Sequence, residues 1–325
     1  MKTEILSLLR EANGYVSGQE LCERFGVSRT AVWKAINQLK EAGYTIEAVQ
    51  NKGYRLLSVP DILNERELQS IRKTEWIGEK IAFYEVVDST NTRAKQLAEE
   101  GAPNGTYVIA EKQDAGKGRR GRGFDSPSGQ GIWMSLILKP EIDPNHASGI
   151  TLVTALAVAK AISELTGKQA GIKWPNDIIM SGKKVCGILT EMSAQFDYVN
   201  HIVVGIGINV QNKSFPKEIE QVATSLFLET KQHFNRASLV EKIWENFEYY
   251  YGIFLETEDL TNLVNEYNAS LVNMHQAVNV LDPKEPFEGK AMGITAKGEL
   301  IVDTWESRKL VSSGEVSVRG VYGYV

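Results

Sequence analysis

The sequence predicts a multidomain α+β protein, and three observations lead to this fold class. The chain has 325 residues, which is too long for one ordinary hydrophobic core. Helical periodicity dominates the N-terminal part, whereas the C-terminal part consists of short strand patterns separated by glycine turns. Strand and helix patterns alternate between these two ends, which favours a central α/β domain with a mixed sheet.

The composition excludes several classes of protein. The first residues, MKTEILSLLREANG, alternate charged and apolar side chains at helical spacing, unlike a signal peptide or a membrane anchor. No apolar run approaches the roughly 18 residues of a membrane-spanning helix, so we expect a cytoplasmic protein without a membrane partner. Cys22 and Cys186 lie far apart, which suits reduced thiols. The four histidines are scattered, so no protein-held metal site is predicted.

The N-terminal part is predicted to form three helices and a hairpin. A helical pattern covers Thr3–Glu11, and two serines mark later helix starts, Ser17 in a Ser-x-x-Glu capping box and Ser28 as a plain cap. Gly26 and Gly43 are placed to end those helices. The stretch YTIEAVQNKGYRLL contains two β-rich runs around a turn, which predicts a hairpin. This order of elements resembles the winged helix-turn-helix family, whose members bind DNA.

The third helix carries most of the residues predicted to contact DNA. Val32, Ile36 and Leu39 repeat at helical spacing and face a core, which leaves polar and charged side chains on the other face. Residues 1–60 carry eight Lys or Arg against six Asp or Glu, whereas the whole chain has a net charge of -5. This difference favours an N-terminal domain that binds a polyanion. Capped amphipathic helices also occur in other small domains, so the prediction depends on the short turn FGVS and the following hairpin. The predicted DNA-binding residues are Ser28, Arg29, Thr30, Trp33, Lys34 and Lys52.

The stretch DAGKGRRGRGFDSPSG contains a glycine-rich cationic loop, in which residues 116–123 are four cations and four glycines. Its spacing matches the G-x-G-x-x-G dinucleotide fingerprint, but helix breakers and a strand pattern follow where that fingerprint requires a helix. No Gly-Lys-Ser/Thr stands at the spacing of a Walker A loop. Two alternatives remain, a solvated basic loop and a loop that folds over a ligand with several negative charges.

Four further motifs place polar groups at the predicted ends of strands. They are DSTN at 88–91, KWPND at 173–177, SGKKVCG at 181–187 and GIGIN at 205–209. Taken alone, DSTN is typical of a helix cap and KWPND of a turn. Together with the cationic loop they predict a single binding site, because polar strand ends commonly converge on one ligand.

The order and spacing of these motifs resemble the biotin protein ligases. With the winged helix in front, the chain resembles the bifunctional biotin protein ligases that also serve as biotin operon repressors, over essentially its full length. The resemblance implies a winged helix-turn-helix domain at 1–63 and a catalytic domain related to class II synthetases at 64–274. It further implies an SH3-like β-barrel at 275–325, where the short strand patterns occur.

The resemblance also implies a chemistry. Biotin would be activated with ATP, accompanied by Mg²⁺, to biotinyl-5′-AMP, and then transferred to a lysine of the biotin carboxyl carrier protein of acetyl-CoA carboxylase. The first step brings a carboxylate against a polyphosphate, so fixed cations must offset the repulsion. The adenylate-bound protein would form a homodimer that places two recognition helices on a palindromic operator and represses biotin genes.

Individual residues take roles by the same resemblance. Arg119, Lys184 and Asp177 are the predicted catalytic residues, with Lys184 balancing the carboxylate and Asp177 orienting or deprotonating the incoming lysine. Phe124 stands where some relatives carry a tryptophan beside adenine. The residues predicted to contact biotin are Ser89, Thr90, Asn91, Gln113, Lys117, Gly118, Arg119 and Lys184. Those predicted to contact ATP or the adenylate are Gly116, Arg119, Arg120, Arg122, Phe124, Asn176 and Asn209.

Three alternatives stay open at this point. A lipoate ligase shares the central fold, although the GKGRRGR loop and KWPND argue against it. A ligand-sensing transcription factor without catalysis would keep the same architecture. An active ligase whose winged helix no longer binds an operator would differ only in DNA binding.

Overall fold

The computed structural model describes residues 1–282, 285–313, 317–320 and 324–325. The chain divides into two compact units, one of Met1–Lys73 with Asn235–Glu241 and one of Thr74–Phe234 with Lys242–Val325. The described helices are α1 (Lys2–Glu11), α2 (Gly18–Phe25), α3 (Arg29–Glu41), α4 (Glu65–Ile71), α5 (Thr90–Glu99), α6 (Ser148–Thr166), α7 (Leu226–Thr230), α8 (Arg236–Thr257) and α9 (Val264–Ser270). The described strands are β1 (Thr45–Val49), β2 (Gly53–Ser58), β3 (Ile81–Val87), β4 (Tyr107–Gln113), β5 (Gly131–Leu138), β6 (Gly171–Lys173), β7 (Asp177–Met180), β8 (Lys183–Ala194), β9 (Val199–Asn209), β10 (Ala277–Leu281), β11 (Phe287–Ile294), β12 (Leu300–Asp303), β13 (Arg308–Val311) and β14 (Ser317–Gly320).

The N-terminal unit has the predicted winged helix-turn-helix architecture. Ser17 and Ser28 cap α2 and α3, and their side chains accept hydrogen bonds from the backbone N–H groups of Glu20 and Ala31 at 3.0 and 3.2 Å. Gly26 ends α2 in the left-handed region at φ 62°, which a residue without Cβ adopts at little cost. Strands β1 and β2 pair antiparallel as the predicted hairpin.

The core of this unit extends beyond the wing into α4. Val32, Ile36 and Leu39 are buried, as their spacing predicted. Glu67 of α4 is also fully buried, and its carboxylate accepts a hydrogen bond from Tyr44 and pairs with Arg10. A buried carboxylate requires such partners, so α4 packs as part of this unit. The predicted domain limit at residue 63 stays a prediction.

A seven-stranded mixed sheet forms the centre of the second unit. Its strand order is β3-β4-β5-β9-β8-β7-β6, with β3 and β4 parallel and the other neighbours antiparallel. Strand β5, with the sequence GIWMSLIL, is buried at every position, which explains its continuous apolar pattern. The mixed α/β sheet expected from the sequence is confirmed.

Helix α6 contains a longer apolar stretch than the sequence analysis expected. The segment Pro144–Thr166, which contains α6, is long and apolar enough to cross a bilayer by length and composition. Most of its apolar part is buried inside the protein, as in a core helix. Length and composition alone are therefore weak evidence for a membrane span.

The C-terminal strands form a five-stranded antiparallel sheet in the order β13-β12-β11-β10-β14. Val278, Ala291, Val302 and Val318 point into its core and are buried. These are the short strands with glycine turns that the sequence predicts, and the multidomain α+β class is confirmed.

Candidate functional site

A cavity of about 200 Å³ lies against the seven-stranded sheet and is open to solvent. All five sequence motifs contribute to its wall, although they come from distant parts of the chain. Gly116 and Asn209 lie outside the lining. The predicted ligand-binding residues that line the cavity are Ser89, Thr90, Asn91, Gln113, Lys117, Gly118, Arg119, Arg120, Arg122, Phe124, Asn176, Asp177 and Lys184.

One end of the cavity is a neutral polar pocket built on the start of α5. Gln113, the last residue of β4, accepts hydrogen bonds on Oε1 from the Thr90 N–H at 2.8 Å and the Thr90 hydroxyl at 3.1 Å. The Asn91 side chain donates to Glu191 at 2.8 Å and contacts Ser135 Oγ at 2.6 Å. Ser89 stands at the N-cap without a side-chain capping bond within this fully described turn. Ser89 also lines the cavity, and its predicted contact with biotin stays a prediction.

The glycine-rich cationic loop folds back on itself as an irregular hairpin. The Gly118 N–H donates to the Arg122 carbonyl at 2.7 Å, and the Phe124 N–H donates to the Gly116 carbonyl at 2.8 Å. A Cβ on Gly116 would lie 2.3 Å from the Phe124 carbonyl oxygen, so this close pairing requires glycine. These hydrogen bonds fix the backbone of the loop that carries the cations. Gly116 allows the close packing of the loop against itself.

Arg119 extends from the loop to Asn176 of the cavity wall and to the backbone that follows β13. Its guanidinium donates to Asn176 Oδ1 at 2.9 Å and to the Ser313 carbonyl at 2.7 Å. Burial lowers the pKa of Arg119, an effect that the nearby Asp177 opposes. The guanidinium stays charged, since the ordinary pKa of arginine is far above neutrality.

Phe124 provides an aromatic wall at the opposite side of the loop. Its ring packs edge-on against Trp133, with the ring centroids 5.8 Å apart, and Lys184 Nζ lies 6.0 Å from its centroid. A Cβ on Gly207 would come within 2.7 Å of the Phe124 ring. The glycine of the GIGIN motif therefore makes room for the aromatic ring on the sheet.

Asp177 and Lys184 form an ion pair in the cavity. Lys184 Nζ lies 2.5 Å from Asp177 Oδ1, and Tyr324 donates a hydrogen bond to Asp177 Oδ2 at 2.6 Å. Lys173 stands opposite Asp177 in the β6–β7 pairing, and its ammonium lies 3.3 Å from the Tyr324 ring centroid. Burial lowers the pKa of Lys173 to about 8, with Asp177 opposing the shift and Lys184 adding to it.

Sequence reasoning assigned no role to Lys173, Arg319 or Tyr324, which also line the cavity. Lys173 stands inside the quoted motif KWPND, so its position was available as a signal. Arg319 and Tyr324 follow the motifs by more than a hundred residues, and nothing local in the sequence connects them to the site.

The charge of the cavity is strongly one-sided. Among the described residues that line it, seven are Lys or Arg and one, Asp177, is acidic. Such an excess of cations in a partly enclosed site attracts a ligand with several negative charges. The described residues contain no group of three or more His, Cys, Asp or Glu that holds a metal ion.

Asn209 supports the cavity from outside its wall. Its side chain is buried and donates to the Thr224 carbonyl at 3.1 Å, which ties the end of β9 to the segment before α7. The backbone of Lys184 bonds the same segment, through Val222 and Thr224 at 2.8 Å each. Asn209 thus contacts the segment behind the cavity wall, and its predicted contact with the nucleotide stays a prediction.

A second surface, in the N-terminal unit, presents the residues predicted to contact DNA. Ser28, Arg29, Thr30, Lys34 and Lys52 are exposed, and the Trp33 side chain is 57% exposed on the same helix. On the wing, Arg55 and Lys52 lie 5.0 and 5.7 Å from the ring centroid of Tyr15. The wing therefore holds two cations close to one aromatic ring.

Comparisons with known proteins match three domain families along the chain. Residues 2–55 match the HTH domain, residues 83–209 match the Biotin/lipoate A/B protein ligase family, and residues 276–319 match the Biotin protein ligase C terminal domain. A biotin protein ligase from Aquifex aeolicus in complex with biotin and ATP superposes with a TM-score of 0.66 at 30% identity. That match covers 74% of this chain and 99% of the other.

The fold and site therefore define a protein ligase of the biotin/lipoate class that carries a helix-turn-helix domain. The bifunctional ligase/repressor BirA of Bacillus subtilis (strain 168) is 39% identical over 98% of this chain and 98% of its own. The protein of that name from Escherichia coli (strain K12) is 28% identical over 97% and 96%. The chain belongs to the family of the bifunctional ligase/repressor BirA.

Proposed function

We propose that the protein activates biotin with ATP to biotinyl-5′-AMP, transfers biotin to a lysine of a biotin carboxyl carrier protein, and represses biotin genes. The observation that carries the enzymatic part is the cavity, where seven cations and one carboxylate adjoin the neutral polar pocket of Ser89 and Gln113. A neutral bicyclic ring with an anionic chain, facing a polyphosphate, is complementary to that distribution of charge.

In the first half-reaction the biotin carboxylate attacks the α-phosphorus of ATP. A carboxylate O–P bond forms, the bond to the bridging oxygen breaks, and pyrophosphate leaves. Lys184 and Arg119 offset the repulsion between carboxylate and phosphate and stabilise the charge that develops on phosphorus. Mg²⁺ enters with ATP as part of the substrate, consistent with a single carboxylate among the described lining residues.

In the second half-reaction the acceptor lysine attacks the carbonyl carbon of the adenylate. The lysine must first lose a proton, because the neutral amine is the nucleophile. An amide bond then forms, the bond between the acyl carbon and the phosphate oxygen breaks, and AMP leaves with its electron pair. Asp177 faces the cavity beside Lys184, so it is placed to orient the incoming ammonium and to receive its proton.

The regulatory part of the proposal links the cavity to DNA. If the adenylate binds the dimer better than the monomer, it drives dimer formation by that difference in affinity. A homodimer presents two copies of α3 to a palindromic operator. The carrier protein and a second copy of the chain compete for the adenylate-bound monomer. When biotin demand is met, little acceptor remains, and the adenylate-bound protein accumulates in the cytoplasm and dimerises. In this scheme residues 1–63 bind DNA, 64–274 carry catalysis and 275–325 complete the cavity.

Pyrophosphate exchange tests the enzymatic proposal. Purified protein is incubated with Mg-ATP, labelled pyrophosphate and either biotin or lipoate. Exchange with biotin alone is the expected result, exchange with lipoate alone would establish a lipoate ligase, and exchange with neither would establish a ligand sensor without catalysis.

Two neighbouring lysines supply a matched pair of variants for the same assay. Lys184→Ala removes the ammonium beside Asp177, and we expect exchange to fall by roughly 100-fold or more. Lys183→Ala removes an ammonium that bonds the Glu220 carbonyl at 3.0 Å and does not line the cavity, so exchange should be retained.

A further inference from the structure

Tyr324 connects the two charged groups that face each other across β6 and β7. Its hydroxyl donates to Asp177 Oδ2 at 2.6 Å, and its ring lies 3.3 Å from the Lys173 ammonium. Lys173 and Asp177 are direct partners in the antiparallel pairing, so one tyrosine spans both side chains. Sequence motifs gave no reason to place Tyr324 in the cavity.

The carboxylate of Asp177 is held at both of its oxygen atoms. Lys184 Nζ lies 2.5 Å from Oδ1, and the Tyr324 hydroxyl occupies a lone pair of Oδ2. The Asp177 side chain is only 14% exposed, so it has little room to rotate. A carboxylate offers about four acceptor positions, and these two contacts restrict the orientation of Asp177, which lines the cavity.

The hydroxyl of Tyr324 stays protonated and acts as a donor. Burial is the main cause that raises the pKa of Tyr324, and the Asp177 carboxylate raises it further. Arg319 and Arg122 oppose the shift. The contact with Lys173 uses the ring face instead of the hydroxyl, which is the geometry of a cation–π interaction.

We propose that Tyr324 is a positioning residue for the transfer step, which fixes the Asp177 carboxylate toward the acceptor amine while its ring holds the Lys173 ammonium beside it. The inference rests on the proposed function, since it assigns Tyr324 to the second half-reaction. We expect no direct part in adenylate formation, because Tyr324 bonds Asp177 Oδ2 whereas Lys184 pairs with Oδ1, and neither Lys184 nor Arg119 is bonded to Tyr324 by a hydrogen bond named above.

The variant Tyr324→Phe separates the hydroxyl from the ring. It removes the hydrogen bond to Asp177 and keeps an aromatic face for Lys173. Tyr250→Phe is the matched control, because the Tyr250 hydroxyl also donates to a carboxylate, that of Glu266, outside the cavity lining. Tyr324→Leu additionally removes the aromatic face.

Both half-reactions are measured on each full-length variant: biotin-dependent pyrophosphate exchange, and single-turnover transfer from preformed biotinyl-5′-AMP to a purified carrier domain. For Tyr324→Phe we expect the maximal transfer rate to fall roughly tenfold, the size typical of one hydrogen bond to a charged group, with exchange unchanged. The carrier concentration at half-maximal rate should also stay unchanged. Tyr250→Phe should match the parent protein in both reactions.

A pH profile of the transfer step distinguishes positioning from general support of the fold. The groups around Tyr324 are Asp177, Lys173, Lys184, Arg319 and Arg122. We expect the profile of Tyr324→Phe to keep the shape of the parent profile, and that of Tyr324→Leu to move, because only the second variant removes the aromatic face beside Lys173.

Each possible outcome supports or overturns the positioning role of Tyr324. Equal loss of exchange and transfer in Tyr324→Phe would show a structural role and overturn the inference, as would unchanged transfer. A faster transfer would show that the hydroxyl obstructs the acceptor lysine, which also overturns it. Absence of biotin-dependent exchange in the parent protein would contradict the proposed function itself and is visible separately.

Discussion

Replacement of Lys173 by methionine should stabilise the ligand-free protein. Burial lowers the pKa of Lys173 to about 8, whereas a lysine in an unfolded chain titrates near 10.4. Between those two pH values the unfolded state binds more protons, so stability rises with pH there, and the full penalty is present below pH 8. At about 1.4 kcal/mol per pKa unit the penalty is about 3 kcal/mol.

The net gain is smaller because methionine cannot hold the Tyr324 ring as an ammonium does. Loss of that cation–π contact removes about 1 kcal/mol, which leaves a stabilisation of about 2 kcal/mol at pH 7. Methionine has a similar length and packs without charge, so it leaves no large cavity. Above about pH 10.4 the advantage should disappear, since the lysine is then neutral in the unfolded chain as well as in the native protein.

Urea unfolding of the ligand-free protein at pH 7 and at pH 10 measures both values. Lys297→Met, at an exposed lysine of the same unit, is the control and should change little at either pH. A Lys173→Met protein that is equally or less stable at pH 7, or that keeps a constant difference at both pH values, would refute the argument that a charged buried lysine is held there against its desolvation cost.

Three further predictions concern the loop and the DNA-binding surface. Arg119→Gly removes the bonds to Asn176 and Ser313 and should speed adenylate dissociation by roughly tenfold or more; an unchanged rate in a filter-binding chase would contradict the loop's assignment. Deletion of residues 1–73 should abolish binding to biotin promoter DNA and retain part of the ligation; full DNA affinity in an anisotropy titration would refute the winged-helix role. Trp33→Ala should weaken that DNA binding without a change in unfolding temperature, because its side chain is 57% exposed.

The N-terminal architecture was predictable because its signals are local. Ser17 and Ser28 bond to N–H groups three residues away, and Gly26 ends a helix at its own position. Such contacts are fixed by short-range geometry and remain readable without tertiary information. The inclusion of α4 in this unit depends on Glu67 and its partners Arg10 and Tyr44, which lie 57 and 23 residues away in sequence.

The sequence predicted the motifs that line the cavity, but it did not predict the contacts between their side chains. Each motif is recognisable by residue type, since polar side chains stand at strand ends, Gln113 at the end of β4 and Asp177 at the start of β7. The Tyr324–Asp177 bond joins residues 147 positions apart, and only the placement of the C-terminal sheet determines it. The conformation of the loop also escaped sequence reasoning, because Gly116 is required by an approach of Phe124 that no spacing rule specifies.

The excess of cations in the cavity lowers the stability of the ligand-free protein, so a ligand with negative charge should stabilise it. Lys173 lies buried among Lys184 and Arg319 with one carboxylate opposite, so the ligand-free cavity holds unfavourable charge. Under the proposed function the adenylate phosphate would offset this charge, so we expect its binding to raise the pKa of Lys173 toward its ordinary value. Near pH 8, adenylate binding should therefore take up a fraction of a proton, which calorimetry in buffers of different ionisation enthalpy measures. In the proposed function the same ligand also orders the surrounding loop and favours the dimer, so the charge of the site would link catalysis to repression.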